Sequence, residues 1–187
     1  MPTEIWLQIL TLIGGSVAFI IGLTQYRVAQ NWKKAEFVAS EIKEAFAEPS
    51  FVTATILLDW NQTLVDLGKV DHLKNVDVND AMLQAAWRPH IERPGGFSDL
   101  EVRLRDILDV FLTRIQRFEH FIEIGLVKSK DFYPFLRYWI KIVGDPKAGR
   151  KSTELQATIW RYIAFYELDD VQRFFKRYGY DITPKDL

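Results

Sequence analysis

The chain has 187 residues, 24 Lys and Arg against 25 Asp and Glu, 48% hydrophobic residues and no cysteine. That length is enough to bury a core in one domain without staples, and the missing cysteines exclude disulfides, thiolate metal sites and cysteine nucleophiles. The balanced charge excludes a globally basic nucleic-acid binder and a disordered acidic tail.

A mean hydropathy of -0.08 looks ordinary for a soluble protein, but it averages two unlike parts. Between Glu4 and Arg27 lie 22 residues without a charge. As a helix this run reaches roughly 33 Å, enough for a hydrocarbon core of about 30 Å. Trp6 and Tyr26 fall about 30 Å apart along such a helix, a spacing that suits aromatic rings at the two interfaces. Thr11, Ser16 and Thr24 are tolerated there because their hydroxyls bond back to helix carbonyls. A cleaved signal fits less well: Glu4 rather than Lys or Arg precedes the run, and no small-x-small cleavage site follows it. A long core helix is the soluble alternative. The reading adopted is a transmembrane anchor over residues 1–26 and a cytoplasmic helical domain over 27–187.

Orientation follows from the cations. None precedes the run, whereas Arg27, Lys33 and Lys34 follow it, which puts the N-terminus outside and everything after Arg27 in the cytoplasm. Gly14, Ala18 and Gly22 recur every four residues, forming a small-residue stripe on which another span can approach closely. Self-association or a protein partner through this face is therefore expected, with the lipid bilayer as the other partner.

The helical pattern continues past the anchor. Val28, Trp32, Ala35, Ala39, Ile42 and Phe46 keep a heptad-like seam, so the span is expected to run on as one helix to about residue 47, where Pro49 stops it. A second helix is expected from Ser50, as cap, to about Leu67, with Gly68 as its stop. Residues 69–96 are the least regular; Asp77 is a candidate cap for a short helix through Ala81, Leu83 and Trp87, before the Pro94-Gly95-Gly96 loop. Order returns at Ser98-Asp99-Leu100-Glu101, a capping box in which serine and glutamate satisfy each other's free amides. From there Leu100, Leu104, Ile107, Phe111, Ile115, Phe118 and Ile122 run at helical spacing to Gly125. Further helices are expected from Asp131 to Gly144, from a second box at Thr153 and Gln156, and from a cap at Asp169 or Asp170 to Gly179. No segment shows convincing strand alternation. The expected fold class is all-α, an N-terminal transmembrane helix continuing into a bundle of about five to six helices.

Leu57-Leu58-Asp59-Trp60, Arg117-Phe118-Glu119-His120-Phe121-Ile122, Gly125-Leu126-Val127, the run from Tyr133-Pro134-Phe135 to Tyr138-Trp139-Ile140, and Tyr162-Ile163-Ala164-Phe165-Tyr166 form a set. Together they resemble a group of uncharacterised bacterial single-pass membrane proteins with an N-terminal anchor and a helical cytoplasmic domain. The resemblance rests on packing positions and implies an architecture; it carries no activity, catalytic residue or cofactor. The double-glycine loop and the segment from Lys147 to Lys151 fall outside it.

Motifs that carry chemistry are sparse. Gly144 and Gly149 have the spacing of a phosphate-binding loop, but Arg150 is inserted before Lys151-Ser152 and Pro146 removes an amide from the cradle. An interhelical basic loop is the better reading. The cluster Arg137, Lys141, Lys147, Arg150 and Lys151 is a solvated surface whose candidate role is contact with anionic lipid headgroups. Nucleic acid is the weaker rival. It draws on 17 of the 26 aromatics lying between Phe97 and Tyr180, but Trp139, Trp160, Phe165 and Phe174 sit where a bundle would bury them. His120 and Glu123 share a helix face, yet a di-iron site needs a second such pair and two further glutamates. Asp71, Asp77 and Asp80 lack calcium-loop spacing. No catalytic, cofactor or metal set is therefore expected. The functional expectation is a non-enzymatic interaction module or an accessory subunit of a membrane complex. The alternative is a small helical enzyme or ligand receptor whose site forms only in the fold.

Overall fold

A computed structural model describes residues 3–68 and 71–184. Of the described residues 73% are helical, and they form seven α-helices and one two-stranded sheet. The chain divides into two compact units, Met1–Ser40 and Glu41–Leu187.

The described residues of the first unit all lie on α1 (Thr3–Ala47). By length and composition this one helix is apolar and long enough to cross a membrane, and none of its most apolar stretch is buried. Thr11, Ser16 and Thr24 donate to the carbonyls of Leu7, Leu12 and Ile20 at 2.8–2.9 Å. Their hydroxyls are thus satisfied within the helix, as an apolar surrounding requires.

In the second unit the last turns of α1 bury Ile42 and Ala45. Phe46 meets Phe51 edge-on at 5.2 Å and Trp139 at 5.5 Å. Pro49 breaks the chain and opens α2 (Pro49–Asp59) at its first turn, with Glu48 in the cap position. Proline fits there because its missing N–H belongs to an amide that would be unpaired anyway. Ser50 is therefore not the cap; its hydroxyl accepts from Arg103 Nη2 at 3.3 Å.

The sequence expectation fails most clearly after Asp59. Instead of helix to residue 67, the chain forms β1 (Gln62–Val65) and pairs it antiparallel with β2 (Val76–Asn79). The register sets Gln62 opposite Asn79 and Val65 opposite Val76. Each strand has only four residues, too short a run for a period of two to stand out. Val65 and Val78 point inward, while Leu64 is exposed. The expectation of a mostly helical chain stands, with one small hairpin added among the described residues.

The hairpin ends in a helix cap. Asn79, not Asp77, accepts from the Met82 amide at 3.0 Å and starts α3 (Asp80–Ala86). Asp77 instead accepts from Gln62 Nε2 at 2.6 Å. Trp87 is fully buried, with its indole N–H on the Leu104 carbonyl at 2.9 Å, so this irregular segment seals the core rather than hanging from it.

Helix α4 (Asp99–Glu123) begins with the expected capping box: Ser98 N–H donates to Glu101 at 2.9 Å, and Glu101 N–H to Ser98 Oγ at 3.4 Å. Leu104, Ile107, Phe111, Ile115 and Phe118 are buried along one stripe. Around α4 pack α2, α3, α5 (Ser129–Gly144) and α7 (Asp169–Arg177), while α6 (Thr153–Phe165) packs on α3 and α7. Two further starts differ from expectation. Ser152, not Thr153, caps α6 by accepting from Leu155 N–H at 3.1 Å, and Gln156 turns inward to donate to the Ile142 carbonyl at 2.6 Å. Leu168 occupies the cap position of α7, with Asp169 and Asp170 in the first turn. Acids there oppose the positive end of the helix dipole without capping it.

Candidate functional site

One face of α4 carries Arg105, Asp109, Thr113 and Gln116, three to four residues apart, and faces Tyr162 and Tyr166 from α6. Together with Leu168 they line an open depression of 440 Å³. Arg105 is its fixed point. Nη1 donates to the carbonyls of Ala86 at 2.7 Å and Arg88 at 2.6 Å, and Nη2 donates to Tyr166 Oη at 2.7 Å. The guanidinium also lies 4.2 Å from the Phe97 ring centre and 4.9 Å from that of Tyr162, a favourable placement of a cation on a π face. Tyr166 Oη also lies 3.0 Å from His90 Nδ1, a hydrogen bond whose direction depends on the imidazole tautomer.

Tyr162 donates to Asp109 Oδ1 at 2.6 Å. Burial raises the Asp109 carboxyl above its ordinary range, opposed by the tyrosine bond and by Arg105. Burial, with the Asp109 bond behind it, also pushes the Tyr162 phenol well up. Tyr162 is thus held as a donor. What remains to meet a ligand is the second oxygen of Asp109 with the side chains of Thr113 and Gln116, against an aromatic wall. The set contains no nucleophile paired with a base.

Asp109 and Thr113 also border a second depression of 320 Å³, whose other walls include Glu48, Arg114 and Arg117. Arg114 pairs with Glu44 at 3.1 Å and Glu48 at 2.9 Å, and Arg117 with Glu41 at 2.9 Å and Glu44 at 3.3 Å. The hydrogen bond from Arg114, then the charge of Arg117, hold the Glu44 carboxyl below its ordinary range. Glu41 is buried, and its Oε2 has no hydrogen-bond partner.

The residues expected from the sequence to act fall elsewhere. Gly14, Ala18 and Gly22 all lie on α1, and a side chain at Gly14 or Gly22 would meet nothing within 4 Å. Of the basic set, Arg137, Lys141 and Lys147 are exposed. Arg150 is drawn onto Asp59 at 3.0 Å and over the Trp60 ring at 5.6 Å, while Tyr138 donates to the same Asp59. Lys151 requires correction as a headgroup contact. Its side chain is fully buried, donating to Asp80 at 2.6 Å and to the Trp60 carbonyl at 2.7 Å. Burial lowers its pKa, against the pull of Asp80. Of the two glycines of the apparent phosphate loop, Gly144 has a packing reason: a Cβ there would stand 2.8 Å from the Tyr180 ring.

Of the aromatics assigned to the core, Phe174 is buried and Trp139, Trp160 and Phe165 are half-buried. His120 is exposed. Among the described residues no cluster of three or more His, Asp or Glu is placed to hold a metal. Arg105 and Asp109 escaped the sequence reading, and Tyr162 and Tyr166 entered it only as packing positions. Each pair sits at i and i+4, but nothing local to either helix says that the two pairs meet.

No family model, curated protein or solved structure matches the chain.

Proposed function

We propose that this protein is a membrane-tethered helical interaction module, held by residues 5–26 with its second unit in the cytoplasm, and that it works by binding rather than catalysis. The observation that carries this reading is the uncharged, wholly exposed apolar stretch of α1. In water that surface is far larger than the patches monomeric soluble proteins leave uncovered, whereas in a bilayer its backbone and hydroxyls are already satisfied within the helix. The cations Arg27, Lys33 and Lys34 support a cytoplasmic location for the second unit. Alkaline carbonate extraction of native membranes tests the tether: the full-length protein stays in the pellet, and its release into the supernatant ends the proposal.

Partner contact within the membrane is assigned to the stripe of Gly14, Ala18 and Gly22. Replacing Gly14 and Gly22 by leucine is expected to abolish crosslinking to a second copy or to a membrane partner. Unchanged crosslinking removes the stripe from the proposal.

A second reading, a small-ligand receptor, has one observation in its favour, the depression between Arg105, Asp109, Tyr162 and Tyr166. It predicts a bound molecule in native mass spectra of the purified full-length protein that Asp109→Ala loses.

A further inference from the structure

The turn between α4 and α5 packs Val127 into the core and presents an amphipathic tip outward. Ile124 and Leu126 are 59% and 42% exposed, and Lys128 and Lys130 beside them are exposed as well. The turn is rigidly made. Gly125 takes φ +74°, a conformation that glycine adopts without a side-chain penalty. The amides of Leu126 and Val127 return to the Phe121 carbonyl at 3.1 and 3.4 Å, and Val127 is buried beneath. Nearby acids are already engaged: Asp131 accepts from the Lys128 amide at 2.9 Å, and Glu123 lies 3.8 Å from Arg173. The two lysine side chains are left to face outward.

The position of this tip within the second unit is set by the ion pairs along α4. Arg114 bonds Glu44 and Glu48, whereas Arg117, further along, bonds Glu41 and Glu44. Helix α4 therefore runs antiparallel to the last turns of α1, and its C-terminal end lies at the same end of the unit as Glu41, where the chain leads in from the tether.

We infer that the segment from Ile124 to Lys130 is a membrane-surface contact: Ile124 and Leu126 enter the interface of the bilayer while Lys128 and Lys130 meet anionic headgroups. Branched apolar side chains flanked by lysines match the interface chemistry, apolar below and anionic above. A tether keeps the local lipid concentration high, so a contact too weak to recruit a free protein still holds a tethered one. This inference rests on the tether proposed above. It places a lipid contact at the start of α5, apart from the cluster of Arg137, Lys141, Lys147, Arg150 and Lys151.

The full-length chain contains no cysteine, so single spin labels at L12C, L126C and T153C, in protein reconstituted into phosphatidylcholine–phosphatidylglycerol vesicles, read depth from relative access to oxygen and to an aqueous nickel chelate. The expected result is bilayer depth at residue 12, interface depth at 126 and water at 153. K128E/K130E in the L126C background is expected to lower the interface population about fivefold or more, with an unchanged circular dichroism spectrum. Residue 12 in the bilayer with 126 in water overturns the inference and leaves the tether standing, also where 126 becomes immobilised only in native membranes, which signals a protein partner. Residue 12 in water overturns the tether itself. Interface depth at 126 that survives K128E/K130E overturns the headgroup role of the lysines.

Discussion

Arg177 closes on Glu119 as a bidentate pair, Nε to Oε2 and Nη2 to Oε1 both at 2.8 Å, with the glutamate side chain fully buried. The pair joins α7 to α4 across the inner side of the fold. Two parallel charge-assisted bonds set the rotation of α7, which apolar packing of Phe174 and Phe175 alone leaves less defined. Arg177→Ala is expected to cost about 3 kcal/mol, because it strands a buried carboxylate. Arg173, 3.9 Å from the same oxygen, limits the loss. Urea unfolding of the variant and of Glu119→Gln/Arg177→Ala checks this: the double variant, with no buried charge left, recovers part of the loss.

Burial of the partner, rather than of the arginine, decides which α4 arginine matters. The Arg117 side chain is 41% exposed and that of Arg114 15%, yet Arg117 holds Glu41, whose side chain is only 8% exposed. Arg117→Ala is therefore expected to destabilise more than Arg114→Ala, by about 1–3 kcal/mol in the first case. Adding Glu41→Gln to Arg117→Ala restores stability, and thermal melts of the three variants read the order directly.

Asp109 gives the site a pH signature. Its folded-state pKa is raised, chiefly by burial, so over the range from about 3.8 up to that raised value the folded state binds the extra proton. Its contribution to stability falls as pH rises through that window and is constant above it. Asp109→Asn keeps an acceptor for Tyr162 and removes the titration. The variant is expected to gain stability over the parent as pH rises through the window, then to hold a constant advantage to neutrality. Melting temperatures compared between about pH 3.5 and 7 test it; a gap that narrows with rising pH contradicts it.

Gly144 carries a close approach. Alanine favours helix over glycine by about 1 kcal/mol, but its Cβ at 2.8 Å from the Tyr180 ring forces the ring to move. Gly144→Ala is expected to cost about 1–2 kcal/mol net by overpacking. In a Tyr180→Ala background the same substitution becomes neutral or stabilising. The change of sign, read from denaturant midpoints, separates packing from any effect of the neighbouring basic loop.

What was legible in advance is local. The Ser98–Glu101 box, the buried stripe of α4 and the glycine stop at Gly125 are each set by residues within one or two turns. The misreadings share the opposite property. Leu64 and Val65 continue the apolar spacing of α2, and only pairing with Asp77 and Val76 from beyond a ten-residue loop turns them into strand. Gln156 completes a capping-box pattern in the sequence, but the carbonyls of Ile142 and Asp145 take its side chain. Ser152 then caps the helix in place of Thr153.

By itself the sequence determined the uncharged stretch of 22 residues, the helical character of most of the chain and the punctuation of its longest helices, because periodicity, proline, glycine and caps act over a few residues. Tertiary structure alone decided which charges are spent. Lys151 sat in a basic run that reads as surface, yet it is buried on Asp80, 71 residues away in sequence. Arg105 and Asp109 gained Tyr162 and Tyr166 as partners only through the packing that brings α6 to α4. Charges and hydroxyls take their chemistry from partners distant along the chain, and an isolated stretch of sequence holds no record of which partners folding supplies.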